Sequence, residues 1–186
     1  LKGIVNGQAI ISGEGLSKEK LNILGSLELK SGAVKGYDFR KFSSKFWLNK
    51  QKLFLNNTEL QGQTSHGTVN GFISLAGDVD LDLKLNQLSL KELQQFHQLE
   101  DLNGQIDLDG ALSGTLSQPQ LKAEVNGLGI EYQEINLGDL KAELDLNKEE
   151  VHLNKVTIPK YASQLHGVIN FADSYSRLIA TTNNLQ

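Results

Sequence analysis

The stretch that decides the fold is a run of eight residues in which apolar and polar side chains alternate strictly: Val79-Asp80-Leu81-Asp82-Leu83-Lys84-Leu85-Asn86. Successive side chains of a β-strand point to opposite faces of the sheet, so this run predicts a strand with one dry and one solvated face. Similar alternation recurs roughly every ten residues, which indicates about fourteen strands and few helices. The pattern is typical of antiparallel sheet that is solvated on one side.

The strand pattern contains an internal repeat. Residues 48–56 read LNKQKLFLN and residues 146–154 read LNKEEVHLN, an offset of 98. Residues 25–29 match residues 104–108 at an offset of 79, so the second copy is predicted to carry about 19 additional residues, about one strand pair. We therefore expect one domain over 1–186, with repeat one at about 21–99 and repeat two at about 100–186.

One segment departs from strand periodicity. Ser89 and Glu92 have the spacing of a helix capping box, and Leu90, Leu93 and Phe96 follow with helical spacing. The sequence therefore predicts one short helix near 89–99, at the junction of the two repeats.

Composition excludes several classes of function. The formal net charge is −4 and no basic stripe is present, which argues against nucleic acid as a partner. The chain has no cysteine, so disulfides and thiolate metal sites are excluded. Its four histidines are scattered and no nucleophile motif occurs, so we predict no catalytic residue, no metal and no cofactor. Because the chain starts at Leu1 and lacks methionine, we expect a piece of a longer protein.

A family resemblance lies in residues 102–171. Residues 102–121 read LNGQIDLDGALSGTLSQPQL: a glycine-punctuated strand, a Gly-Thr-Leu-x-x-Pro corner at 114–119, and the start of an amphipathic strand. This arrangement resembles the AsmA-like superfamily, and within it the C-terminal region of TamB-type proteins. The first repeat lacks the proline corner and matches more loosely.

The resemblance implies an all-β fold: an elongated, curved, mostly antiparallel sheet, described as a β-taco or half-pipe, with a concave apolar groove. It also implies the periplasm as location, in a protein anchored in the inner membrane of a Gram-negative envelope. The implied function is phospholipid transport between the inner and outer membranes, support of outer-membrane protein assembly, or both. The implied partners are phospholipid acyl chains, an outer-membrane β-barrel assembly protein of the TamA/BamA type, and adjacent repeats of the same chain.

The residues predicted to line this groove are the apolar positions of the best strands. A sheet without helical cover either folds over on itself or leaves an apolar trough, and the pattern alone allows both. The predicted lipid-groove residues are Leu27, Leu29, Phe46, Leu48, Leu53, Leu55, Val79, Leu81, Leu83, Leu85, Ile106, Leu108, Leu121, Val125, Leu144, Leu146, Val151, Leu153, Ile158, Ile169 and Phe171.

Two other functions fit the same sequence. The chain could be an interaction platform that pairs its sheet edge with strands of outer-membrane β-barrel substrates or with an insertase partner. It could also be a closed β-sandwich or β-solenoid of a surface adhesin. The only tryptophan, Trp47, lies between two predicted inward residues, so we expect it on the outer face, packed on a partner strand or in contact with a membrane interface or the next repeat.

Overall fold

The computed structural model describes residues 4–12, 22–34, 37–93, 101–170 and 176–182, and strands make up 83% of them. Twelve strands are described rather than the predicted fourteen. Their bounds are β1 (Ile4–Ser12), β2 (Asn22–Val34), β3 (Tyr37–Asn49), β4 (Lys52–Gln61), β5 (His66–Ser74), β6 (Asp78–Ser89), β7 (Leu102–Thr115), β8 (Pro119–Tyr132), β9 (Ile135–Leu146), β10 (Glu150–Ile158), β11 (Ser163–Asn170) and β12 (Ser176–Thr182).

All twelve strands form one sheet, in the order in which they occur along the chain. Every neighbouring pair is antiparallel. The sheet is open rather than closed into a barrel, and its form is consistent with a curved sheet. The predicted all-β antiparallel fold is thus confirmed. A sandwich needs two packed sheets and a solenoid needs parallel stacking, so the described residues adopt neither.

The strand register separates two faces of the sheet. One row of directly paired residues crosses all twelve strands and contains only apolar residues and glycine: Val5, Leu29, Phe42, Leu60, Gly67, Leu85, Leu108, Val125, Ala142, Val156, Leu165 and Ala180. We call the side of the sheet that contains this row the apolar face, and the opposite side the polar face. Antiparallel pairing brings side chains of paired residues to the same face, so the period-two pattern of each strand joins into one surface.

β-Bulges interrupt several strands without disturbing this surface. The register shifts between Leu55 and Thr58 in β4, between Leu85 and Leu88 in β6, and between Leu153 and Val156 in β10. Each bulge inserts one residue, after which the apolar positions resume on the same face. Bulges bend a strand and increase its twist, so they provide the local curvature of the sheet.

The extra residue of a bulge has a backbone N–H that forms no hydrogen bond within the strand ladder. In β4 and β6, a side chain of the next strand accepts a hydrogen bond from this N–H. Gln87, with a φ of 56°, donates its backbone N–H to Asp107 Oδ1 at 2.7 Å. Asn57, with a φ of 50°, donates in the same way to Asn70 Oδ1 at 2.8 Å. These acceptors lie on the polar face and hold the bulges in place.

The strand bounds reveal a repeat with a more uniform spacing than the sequence suggested. Strands β1–β6 correspond in order to β7–β12 at an offset of 97 to 98; residues 5–8 read VNGQ and residues 102–105 read LNGQ. The correspondence matches six strands with six. It requires no inserted strand pair, unlike the pairing of 25–29 with 104–108.

The first turn of the helix predicted near 89–99 is present. Helix α1 spans Leu90–Leu93, immediately after β6. Glu92 accepts a hydrogen bond from the Thr64 hydroxyl at 2.7 Å, which ties the helix to the loop between β4 and β5. The predicted continuation over 94–99 lies outside the described residues. A single 3₁₀ turn at Pro159–Tyr161 joins β10 to β11.

Candidate functional site

The predicted groove residues lie together on the apolar face. By register, every one of them from Leu27 to Ile169 lies on this side of the sheet, and none lies on the polar face. Phe171 lies outside the described residues. The described members of the set therefore share one side of the sheet, and their role toward lipid stays a prediction.

Several members of the face were missed by the sequence interpretation. Phe42, Leu60, Val69, Leu112 and Val156 complete its rows. Leu60 and Val156 follow bulges, which shift the alternation by one residue and hide the phase from a strict period-two reading. Asn57 and Lys155, polar residues at positions where strict alternation requires an apolar one, are the signal that could have revealed the shift.

Burial on the apolar face is greatest near the middle of the sheet. Val79 in β6 is 4% exposed and Ala123 in β8 is 7% exposed. On the edge strands, Ile11 is 68% exposed and Leu178 is 50% exposed. No large side chain among the described residues is less than 2% exposed, so the described part of the chain lacks a fully dry core. The face is enclosed at its centre and accessible towards both edge strands.

The predicted groove residues of the described strands pair only with uncharged residues, and two buried hydroxyls on the apolar face pair with each other. Ser44 and Thr58 are both 6% exposed. Their hydroxyl oxygens are 2.7 Å apart and share a hydrogen bond across β3 and β4. A hydroxyl that is buried without a partner costs about 1–3 kcal/mol, and this pairing removes that cost. The two hydroxyls therefore lie on the apolar face without needing water as a hydrogen-bond partner.

Glycines let neighbouring strands approach closely on the apolar face. A Cβ on Gly71 would lie 2.1 Å from the Asp80 carbonyl oxygen in β6, and Gly71 has a φ of 123°. A Cβ on Gly167 would lie 2.1 Å from the Arg177 carbonyl oxygen in β12. The two positions are counterparts in the repeat, so the same close approach is built twice into the sheet.

On the polar face, opposite charges pair across the neighbouring strands β6 and β7. Lys84 Nζ lies 2.9 Å from Asp109 Oδ2, and both side chains are exposed. The hydrogen bond and the charge of Asp109 raise the pKa of Lys84 above its usual value. Exposed pairs of this kind contribute little to stability, so the main effect of this charge is to keep one side of the sheet in water.

A second apolar feature lies on the polar face, in the first half of the sheet. Ile10, Leu24, Trp47, Phe54 and Phe72 pair in sequence across β1 to β5 and form what we call the aromatic row. The ring centroids of Trp47 and Phe54 are 5.4 Å apart, and those of Phe54 and Phe72 are 5.9 Å apart. Trp47 lies on the polar face, opposite the side of Phe46 and Leu48, and its ring packs on Phe54 of the neighbouring strand β4.

Polar side chains contact the first and the last aromatic residue of this row, Trp47 and Phe72. The Trp47 indole Nε1 donates a hydrogen bond to Asn22 Oδ1. The Lys52 ammonium lies 3.9 Å from the Phe72 ring centroid, within the range of a cation–π contact. Because each ring already has a partner, we assign the aromatic row a packing role.

No other kind of site stands out. Across the described segments, no cluster of three or more His, Cys, Asp or Glu side chains has the geometry to hold a metal ion. Nor does any described helix have the length and apolar character needed to cross a membrane. Comparison of the chain with protein-family models, with curated proteins and with solved structures yields no match in any of the three.

Proposed function

We propose that this chain is a non-enzymatic segment of an envelope protein, located in the periplasm, that shields lipid acyl chains on its apolar face during phospholipid transport. The observation that carries the proposal is the row of paired apolar residues and glycine that crosses all twelve described strands of a single open sheet. A continuous apolar surface larger than a few hundred Å² is unusual on a monomer and marks an interaction surface. The resemblance to TamB-type proteins points to the same function and location.

The dimensions of the face suit acyl chains. Neighbouring strands lie about 4.8 Å apart, so the row from β1 to β12 is roughly 50 Å long. The hydrocarbon core of a bilayer is about 30 Å thick, which gives about 15 Å for the acyl chains of one leaflet. The row therefore has room for several lipid tails in succession. Each methylene removed from water contributes about 0.8 kcal/mol, so a tail needs no specific polar contact to bind.

Mass spectrometry of lipid that co-purifies with the protein tests this proposal. We expect phospholipid in the purified protein after expression in a Gram-negative host, because contact with acyl chains removes the apolar face from water. Free fatty acid or detergent added during purification serves as a competitor and should displace the phospholipid. A protein that remains folded and carries no lipid would contradict the proposal.

The sheet edges support a second candidate function, pairing with strands of another protein during outer-membrane protein assembly. β1 and β12 are the first and last strands of the sheet order and lack an outer neighbour among the described residues. Strand addition uses the backbone groups of an edge and does not need the apolar face. Cross-linking of a β-barrel substrate, or of an assembly protein of the TamA/BamA type, to β1 and not to the apolar face would favour this candidate.

A further inference from the structure

The two edge strands carry few of the features that usually prevent strand addition. β1 reads IVNGQAIIS, with neither charge nor proline, and β12 reads SRLIATT, with one arginine. Natural edge strands are commonly protected by lysine, proline, bulges or inward-pointing charges. Ile11 and Leu178, on the apolar face of these strands, are 68% and 50% exposed. Within the described residues, the sheet therefore presents two edges of different sequence with little protection against strand addition.

The repeat shows which strand each edge fits. β6 corresponds to β12, and β7 corresponds to β1, because the strands follow the same order in both halves of the sheet. The register agrees: Leu81 pairs with Gly71 as Leu178 pairs with Gly167, and Leu112 pairs with Leu121 as Ile11 pairs with Ile23. Within the chain, β6 and β7 pair antiparallel over ten register positions, from Asp78 with Thr115 to Ser89 with Gln105. The β6–β7 pair is thus an internal example of how β12 can pair with another β1.

The distribution of charge favours the same arrangement. Residues 1–77 contain ten Lys or Arg and five Asp or Glu, a net charge of +5. Residues 78–186 contain eight Lys or Arg and seventeen Asp or Glu, a net charge of −9. The two halves together give the net charge of −4 of the whole chain. The boundary falls between β5 and β6, so the half that ends in β1 is basic and the half that ends in β12 is acidic. Contact between opposite ends of two copies is therefore attractive, whereas contact between like ends is repulsive.

We propose that β12 of one copy pairs antiparallel with β1 of a second copy, head to tail, and that the two copies form one continuous sheet. The apolar faces then join across the junction, as they do between β6 and β7. Because the two contacting surfaces differ, each dimer keeps one free edge of each kind, and further copies can add in a line. This inference rests on the edges, the repeat and the charges, and is independent of the lipid role.

Two edge variants and their mixture test the proposal by analytical ultracentrifugation. Ile11→Lys places a charge on the apolar side of β1, and Leu178→Lys does the same on β12. We expect concentration-dependent dimers and longer assemblies for the unmodified chain, and at least about tenfold weaker self-association for either variant alone. Each variant retains the edge that the other lacks. The mixture should therefore form dimers and nothing longer.

Leu116→Lys is the matched control, because Leu116 is 67% exposed but lies in the turn between β7 and β8, away from both edges. It should associate like the unmodified chain, and circular dichroism should show that all three variants retain their strands. The proposal is overturned if the unmodified chain is monomeric at millimolar concentration. It is also overturned if one edge variant still dimerises alone, which indicates pairing of like edges, or if the mixture stays monomeric.

Discussion

Replacement of Leu83 by glutamate should reduce the phospholipid bound per protein by at least about tenfold. Leu83 lies in the middle strand β6 and pairs with Val69 and Gly110 on the apolar face, far from either edge strand. A carboxylate at this position lies against the lipid tail, and removal of an unpaired charge from water costs several kcal/mol. Each 1.4 kcal/mol corresponds to a tenfold change in affinity. Lipid extraction and mass spectrometry of equal amounts of folded protein measure the effect.

The matched control lies in the same strand. Asn86 is exposed on the polar face, so Asn86→Glu adds the same charge on the other side of the sheet and should leave bound lipid unchanged. Leu83→Gln provides an uncharged polar substitution, should the glutamate variant unfold. It should bind an intermediate amount. Equal lipid content in Leu83→Glu and Asn86→Glu proteins, both folded, contradicts the assignment of the lipid site to the apolar face.

Replacement of Gly71 by alanine should lower the free energy of unfolding by about 2–6 kcal/mol. Its φ of 123° lies in a region that residues with a Cβ rarely adopt, and this strain costs about 1–3 kcal/mol. The added Cβ would also meet the Asp80 carbonyl oxygen at 2.1 Å and the Leu81 Cα at 2.9 Å, so β6 must move away from β5. Overpacking of this kind typically costs about 1–3 kcal/mol more. Urea denaturation monitored by Trp47 fluorescence measures the change.

Gly67→Ala is the control for this prediction, because Gly67 lies in the same strand and on the same face. Its φ is not positive, and the nearest atom to an added Cβ is Leu85 Cδ1 at 3.5 Å, an ordinary contact. We expect no destabilisation, and a gain of up to about 1 kcal/mol through the smaller entropy of the unfolded chain. If both alanine variants have the same stability, close approach of β5 and β6 on the apolar face is not a feature that stabilises the sheet.

The sequence predicts the two faces well because the period of a strand is a local property. Leu81, Leu83 and Leu85 alternate with charged residues, and register then only has to join strands that already have a dry side. The bulges are harder to predict, since a single residue such as Asn57 or Gln87 shifts the phase and depends on an acceptor in the next strand. The positions of Leu60 and Leu88 on the apolar face therefore follow only from the structure.

The correspondence of six strands with six is hidden from the sequence for a related reason. Residues 25–29 and 104–108 share glycine and alternating leucine or isoleucine, a pattern that many amphipathic strands contain. Only the strand order and the register show which strands of the two halves are equivalent, since Ile11 pairs with Ile23 as Leu112 pairs with Leu121. The aromatic row was missed because alternation assigns the outer side of each strand to solvent. Cross-strand pairing of Trp47 with Leu24 and Phe54 depends on register between distant segments.

Site-specific photo-cross-linking along β6 tests the central claim most directly. A photoreactive side chain is placed in turn at each position from 80 to 85, and the protein is incubated with vesicles of a phospholipid with a labelled acyl chain. The account predicts cross-links to the acyl chain at 81, 83 and 85 and none above background at 80, 82 and 84, in step with the two faces of the strand. Uniform labelling at all six positions, or labelling at the even positions alone, would contradict an acyl-chain surface on the apolar face.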